Sequence, residues 1–200
     1  METFSYINKS VNDNNSLLYY VSRAGSGEVK SDFNIKRNNL YPYCVVHYVA
    51  KGSGHVIYRD KDNNISQGDL FILNAYEKHN YFTDKDNLLQ LQWVEFAGGD
   101  CVKLITSILK NDEFIIKTPD SKKINESLYE IFNIIKENND GNQFSIFKII
   151  YSMLLNLLYM NRNNSNNRFF NSSLNNISKA IYFIDNNLGE HIDIEMLLGI

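Results

Sequence analysis

Apolar positions follow two different rules in the two halves of this chain. Between residue 17 and about residue 96 they come in short runs, LLYYVS, YCVVHYVA, GHVIYRD, DLFIL and LLQLQWVEF. The runs are continuous or alternate with period two, and Gly, Asn and Asp break them at intervals of about 8–12 residues, the spacing of antiparallel strands in a sandwich or small barrel. DKDNN supplies hairpin chemistry between two of the strands, and SQGD offers Gly68 where a tight turn needs positive φ. In LLQLQWVEF the alternation puts Leu89, Leu91, Trp93 and Glu95 on one face and Gln90, Gln92, Val94 and Phe96 on the other.

After Gly98-Gly99 the apolar spacing becomes three and four. Segments 100–110, 122–139, 143–161 and 173–187 predict helices, the second on Ile124, Leu128, Ile131, Phe132 and Ile135. The polar stretch 162–173 lacks periodicity and predicts a linker. Strands first and helices afterwards predict an α+β architecture. A small antiparallel β-barrel with an N-terminal arm would span 1–99 and a helical block 100–161. The helix over 143–161 carries a stripe wider than one face needs, with Phe144, Phe147, Ile150, Leu154, Leu157 and Leu158 on one side and Ile149, Met153 and Met160 beside it. Leaving such surface in water costs about 25 cal/mol per Å². The excess predicts a homodimer through this helix, with Ile150, Leu154, Leu157 and Leu158 as contact residues.

Composition narrows the functional classes. The 200 residues are 44% apolar and 13% aromatic, enough for a packed core. The formal charge of −3, with no basic block, argues against phosphate-backbone binding by these residues. Cys44 and Cys101 each sit in an apolar run, which predicts buried free thiols in a reducing compartment rather than a disulfide. METFSYINKS has no signal-peptide pattern, and no apolar run approaches the roughly 20 residues of a membrane helix, so a cytoplasmic soluble protein with no membrane contact is expected.

No Gly-rich phosphate loop, paired-Cys motif, HExxH or nucleophile elbow is present, so no cofactor is implied. His47, His55 and His79 could be offered to a catalytic metal, but no HxH pair exists and three convergent ligands are needed. A stand-alone metal-dependent barrel enzyme is therefore the alternative reading, and His79 is otherwise a partly buried imidazole with a backbone or tyrosine partner. Trp93 either fills the barrel or offers its ring face to a small ligand. Tyr81, two residues from His79, would face the same side as it. Arg37 is either a planar donor for a hydroxyl-rich or anionic ligand or a solvated surface residue. A filled barrel serving only as a dimer module is the third reading.

The order of landmarks resembles the AraC/XylS transcription regulators. GSGHVIYRDKDNNISQGDLFILNAYEKHNYF, 52–82, and QLQWVEFAGG, 90–99, carry Gly52, Gly54, Gly68, Asp69, His79, Trp93, Phe96 and Gly98 at the family's spacings. The resemblance implies a cupin-type (double-stranded β-helix) sensor barrel, dimerising helices and a separate helix-turn-helix DNA-binding domain, hence a regulator and not an enzyme. In arabinose-responsive members the sugar is touched at positions matching Arg37, Tyr81, Leu91 and Trp93. With the motif residue His79 these form the expected effector site. Leu91 is apolar where the sugar-binding member is polar, which argues against arabinose as effector. The final EHIDIEMLLGI, 190–200, with Asp193 as N-cap, resembles the opening of the first helix-turn-helix, so 174–200 would begin the DNA-binding domain. DNA would then be contacted only through that domain, and specific binding by these 200 residues is not expected.

Overall fold

The computed structural model describes residues 4–7, 19–109, 114–117, 121–137 and 143–163. The chain divides into two compact units, Met1–Asn161 and Arg162–Ile200. The expected linker over 162–173, the helix over 173–187 and the helix-turn-helix opening fall in the second, outside the described residues apart from the end of the last helix. In chain order the elements are β1 (Phe4–Ile7), β2 (Tyr20–Glu28), β3 (Asn34–Arg37), β4 (Cys44–Lys51), β5 (Ser53–Tyr58), β6 (Lys61–Ser66), β7 (Leu70–Leu73), β8 (His79–Thr83), β9 (Gln90–Ala97), α1 (Cys101–Ile108), β10 (Ile115–Ile116), α2 (Ser121–Lys136) and α3 (Gln143–Asn163). The architecture is α+β.

Two antiparallel sheets face each other. The larger runs β1-β2-β9-β4-β7-β10 and the smaller β3-β8-β5-β6. Pairing aligns His47 of β4 with Trp93 of β9 and with Phe71 of β7, so these three share one face of the larger sheet. Tyr81 of β8 meets that face from the smaller sheet, 4.9 Å from the His47 ring and 5.7 Å from that of Phe71. These contacts define the barrel interior. On the opposite face of the larger sheet Val46, Val94 and Phe96 are buried, and α2 packs against β2, β9 and β1 through Ile124, Leu128, Ile131, Phe132 and Ile135. Both periodicities therefore land on one core: period two from β9, period 3.6 from α2.

Two local details depart from expectation. The hairpin turn between β5 and β6 lies at Arg59-Asp60, both left-handed at φ 53° and 59°, the geometry of a two-residue type I′ turn. Asp62, Asn63 and Asn64, expected in the turn, instead belong to β6, an edge strand where polar side chains are tolerated. The helical block is also interrupted by β10, whose two residues extend the larger sheet beside Leu70 and Phe71. Gly52 is required by backbone approach: at φ 83°, a Cβ there would stand 2.0 Å from the carbonyl oxygen of Leu88. Gly68 supplies the expected positive φ, 92°, and Asp69 accepts the Ser66 N–H at 2.9 Å across that turn.

The assignment of Ile150, Leu154 and Leu157 to a contact between copies needs correction. All three are fully buried in the chain's own core, together with Ile146, Met153 and Met160, and Leu158 is half-buried against it. The apolar surface that α3 leaves in water is the opposite stripe of Phe144, Tyr151, Leu155 and Tyr159. Phe144, expected on the inner side, is 77% exposed. The stretch Gln143–Met160 is, by length and composition alone, apolar enough to cross a membrane, which the sequence reading overlooked. Its inner face is part of the protein core, the arrangement of a helix in a globular domain.

Candidate functional site

The inward face of the barrel is arranged in tiers set by strand register. In the larger sheet, Gly27, Leu91 and Val49 form one tier, Gly25, Trp93 and His47 the next, and Arg23, Glu95 and Val45 the third. In the smaller sheet, Ile35, Tyr81 and Val56 form one tier, and Arg37, His79 and Tyr58 the next. The Tyr81–His47 contact matches the middle tier across the barrel.

Trp93 occupies its position because Gly25 lies beside it. A Cβ at residue 25 would stand 2.4 Å from Cε2 and Cζ2 of the indole, so no larger residue fits without moving the ring. His47 stacks on Phe71 with ring centroids 4.2 Å apart and planes 6° off parallel. Leu91 is buried at the far tier, where it contributes to packing.

The Arg37 tier is polar. The Arg37 guanidinium lies 4.5 Å over the Tyr41 ring, and the buried Glu95 carboxylate is 3.8 Å from Arg23 Nε. Burial and the Glu95 partner raise the Tyr41 pKa above its ordinary value. Tyr81 is raised as well, by burial first and then by the charge of Glu95, with Arg37 opposing. Both phenols stay neutral donors. Arg23 reaches the interior through a β-bulge: Val21 pairs with Phe96 but Arg23 pairs with Glu95, so one extra residue reverses the alternation and re-aims the side chain inward.

The two inward histidines are neutral at neutral pH. His47 is fully enclosed, its Nδ1 has no hydrogen-bond partner, and desolvation followed by the proximity of His79 depresses its pKa well below the usual value. His79 is lowered by burial and by the charge of Arg37, against the opposing backbone bond. Its Nδ1 donates to the Glu77 carbonyl at 3.0 Å, which leaves Nε2 as an acceptor. A groove of about 550 Å³ opens beside Arg37 and His79 and continues over the outer rim of the smaller sheet along Lys36, Ile57, Arg59, Asp60, Glu77, Lys78 and Asn80. Four cations there face two carboxylates, and Arg59 grips Glu77 through two bonds of 2.7 and 2.9 Å. The groove is thus positively charged.

Of the residues expected at the site, Arg37, His79, Tyr81 and Trp93 share the barrel interior, and Leu91 lines its buried end. Tyr41, Glu95 and Arg23 were missed as members. Glu95 carried a usable signal, since it lies two residues beyond Trp93 on the same face. The three histidines of the metal-enzyme alternative do not converge. His55 faces outward, stacked on Phe82 at 5.0 Å, with Nδ1 3.2 Å from Asp62 and Nε2 3.6 Å from Asp84. Among the described residues no three His, Cys, Asp or Glu side chains form a group suited to a metal ion.

The fold is a small antiparallel barrel whose interior mixes aromatic and charged side chains. The sequence model of the AraC-like ligand binding domain matches residues 31–154, more than half of the chain, and the chain belongs to that family. Among curated proteins none matches it. Similar solved structures include the Escherichia coli protein YhaK, at 12% identity, TM-score 0.40, 48% of this chain and 45% of that one. Another is EutQ of Clostridium difficile, at 18% identity, TM-score 0.32, with 40% and 59% covered. ToxT of Vibrio cholerae O395, bound to (E)-4-(8-methylnaphthalen-1-yl)but-3-enoic acid, is similar at 12% identity, TM-score 0.47, with 91% and 70% covered. This chain spans less than two thirds of the length of YhaK and of EutQ.

The buried neutral histidines give stability a definite pH dependence. Their folded-state pKa values are depressed, so the unfolded chain takes up protons first as pH falls through the ordinary imidazole value of about 6.5. Chemical denaturation at pH 7 and pH 5 should show stability falling by up to about 1.4 kcal/mol per pH unit for each histidine held neutral. In His47→Phe, which keeps the stack on Phe71, the fall should be shallower. An unchanged slope in that variant would remove His47 from the account.

Proposed function

We propose that this chain is the ligand-sensing and dimerisation part of an AraC-type transcription regulator. A small molecule enters at the Arg37–His79 mouth and contacts Arg37, Tyr41, His79, Tyr81 and Trp93, with Glu95 accepting from it. The observation that carries this reading is that Arg37, His79 and Tyr81 of the smaller sheet face Trp93 and Glu95 of the larger one across the interior of a domain in the AraC-like ligand-binding family. The chemistry suits a hydroxylated or carboxylated ligand: Arg37 offers a planar donor fork, Glu95 an acceptor, and Trp93 and Tyr81 ring surface. A sugar remains one such candidate, although apolar Leu91 offers no hydroxyl contact.

Binding shifts the regulator only by its differential affinity for two conformational states. Segment 174–200 would start the helix-turn-helix domain that carries sequence-specific DNA binding, and paired half-sites would then be read by a homodimer. The dimer contact of helix 143–161 is best supplied by the outer stripe of Phe144, Tyr151, Leu155 and Tyr159, because the inner stripe is occupied by the chain's own core. The role is regulatory and not enzymatic, and the compartment cytoplasmic.

A thermal-shift screen with sugars and small organic acids tests the sensor reading. An effector at 100 times its Kd should add about 2.7 kcal/mol of stability. Arg37→Ala and Trp93→Ala should each abolish most of that gain, and full retention in both variants would contradict the proposed site. For the dimer, Leu155→Asp should convert a sedimenting dimer to monomer with the barrel's circular dichroism unchanged. A wild-type monomer, or a variant that stays dimeric, would refute the α3 contact.

A further inference from the structure

Cys44 and Cys101 lie far apart in sequence and together in space. Cys44 is the first residue of β4 and Cys101 the first of α1, and their sulfurs are 3.9 Å apart. Both are free thiols, Cys44 wholly buried and Cys101 5% exposed. Their surroundings differ. Cys44 Sγ accepts the Ala75 N–H at 3.4 Å, and its thiol faces Asn74 Oδ1 at 3.2 Å. Cys101 sits at the N-terminal end of α1, directly after Gly98, Gly99 and Asp100, with the Cys44 sulfur as its neighbour.

We propose that Cys44 and Cys101 form a reversible disulfide site that a small peroxide oxidises, with Cys101 as the attacking sulfur and Cys44 as the resolving one. Hydrogen bonds from Cys44 and the Val102 N–H lower the Cys101 pKa against the opposing effect of burial, whereas the thiol pairing and burial raise that of Cys44. The place of Cys101 at the start of α1 with 5% exposure, against the wholly buried Cys44 at the start of β4, marks Cys101 as the sulfur a peroxide reaches first and Cys44 as its resolver. The Cys101 thiolate attacks one peroxide oxygen, the O–O bond breaks, and the departing hydroxide takes a proton to become water. Cys101 is then a sulfenic acid: the sulfur is oxidised and the peroxide reduced. The Cys44 sulfur attacks it, the S–S bond forms and the S–O bond breaks, and the Cys44 proton leaves with the hydroxide as a second water. Thiol reductants reverse the change by exchange.

The site joins the barrel to the helical block. Asn74, the acceptor facing the Cys44 thiol, donates through Nδ2 to Thr106 of α1 at 3.1 Å and to Glu77 at 3.3 Å, and Glu77 is the residue gripped by Arg59 at the groove. Oxidation ties β4 to α1 covalently beside this chain of contacts.

The test uses the full chain, hydrogen peroxide as probe, thiol counting and intact mass. The expected result is loss of both free thiols and of two hydrogens in mass, no species larger than seen before treatment on non-reducing gels, and recovery with dithiothreitol. In Cys44→Ser the Cys101 sulfenic acid should accumulate and be trapped by dimedone, whereas in Cys101→Ser the Cys44 thiol should persist. Two intact thiols after treatment, or cross-linking between chains in place of the internal bond, would overturn the site. Dimedone labelling of Cys44 in preference to Cys101 would overturn the assignment of roles. The wild-type thiol count stands whether or not the variants fold.

Discussion

The interior of this protein is organised by the close approach of Trp93 to Gly25. Paired strands bring the two residues directly opposite, and the missing side chain at residue 25 lets the indole lie against the backbone of β2. With the ring held there, the same tier takes His47, which stacks on Phe71 and receives the edge of Tyr81 from across the barrel. A larger residue at 25 would push the indole toward that cluster, in a core where overpacking typically costs about 1–3 kcal/mol.

Beside this layer lies the polar one, and its members come from separate pieces of chain. Arg37 ends β3, Tyr41 belongs to the following loop, His79 begins β8, Glu95 lies on β9, and Arg23 enters through the bulge in β2. A buried carboxylate needs a partner, and Glu95 has Arg23 at 3.8 Å. The neutral state of His79 keeps an acceptor beside the Arg37 cation. Arg37 and His79 share one tier of the smaller sheet, and the ring of Tyr81 lies in the next. The groove on the outer rim of the smaller sheet carries an excess of positive charge, which favours anions there.

How much of this was legible varied with the kind of information each residue carries. β9, β5 and β7 announce themselves because alternation or a continuous apolar run is a local signal, and α2 because five buried residues repeat at helical spacing. β10 is two residues long and owes its existence to Phe71 and Leu70, so no local pattern marks it. β6 is polar because it is an edge, which disguised it as a turn. At the site, Trp93 and Glu95 were placed on one face by alternation alone, and Arg37 and Tyr81 gained weight from family resemblance. Tyr41 had no signal: it lies in an aperiodic YPYC loop, and its role comes from nonlocal contacts with Arg37 and Glu95. Arg23 was hidden by a bulge that reverses the parity of its strand. The inner stripe of α3 is apolar as its spacing indicates, but the chain's own core fills it, and the apolar surface left over is the outer stripe of Phe144, Tyr151, Leu155 and Tyr159.

The only tryptophan of the chain stands in the middle of the interior, so its fluorescence reports directly on the central claim. The decisive measurement is a titration of wild-type protein with any compound that raises its thermal stability, following Trp93 emission. Occupation of the barrel predicts a saturable change in intensity or wavelength, with a Kd equal to that from the stability gain. Stabilisation by a ligand that leaves the emission of Trp93 unchanged through saturation would place binding elsewhere and contradict the account.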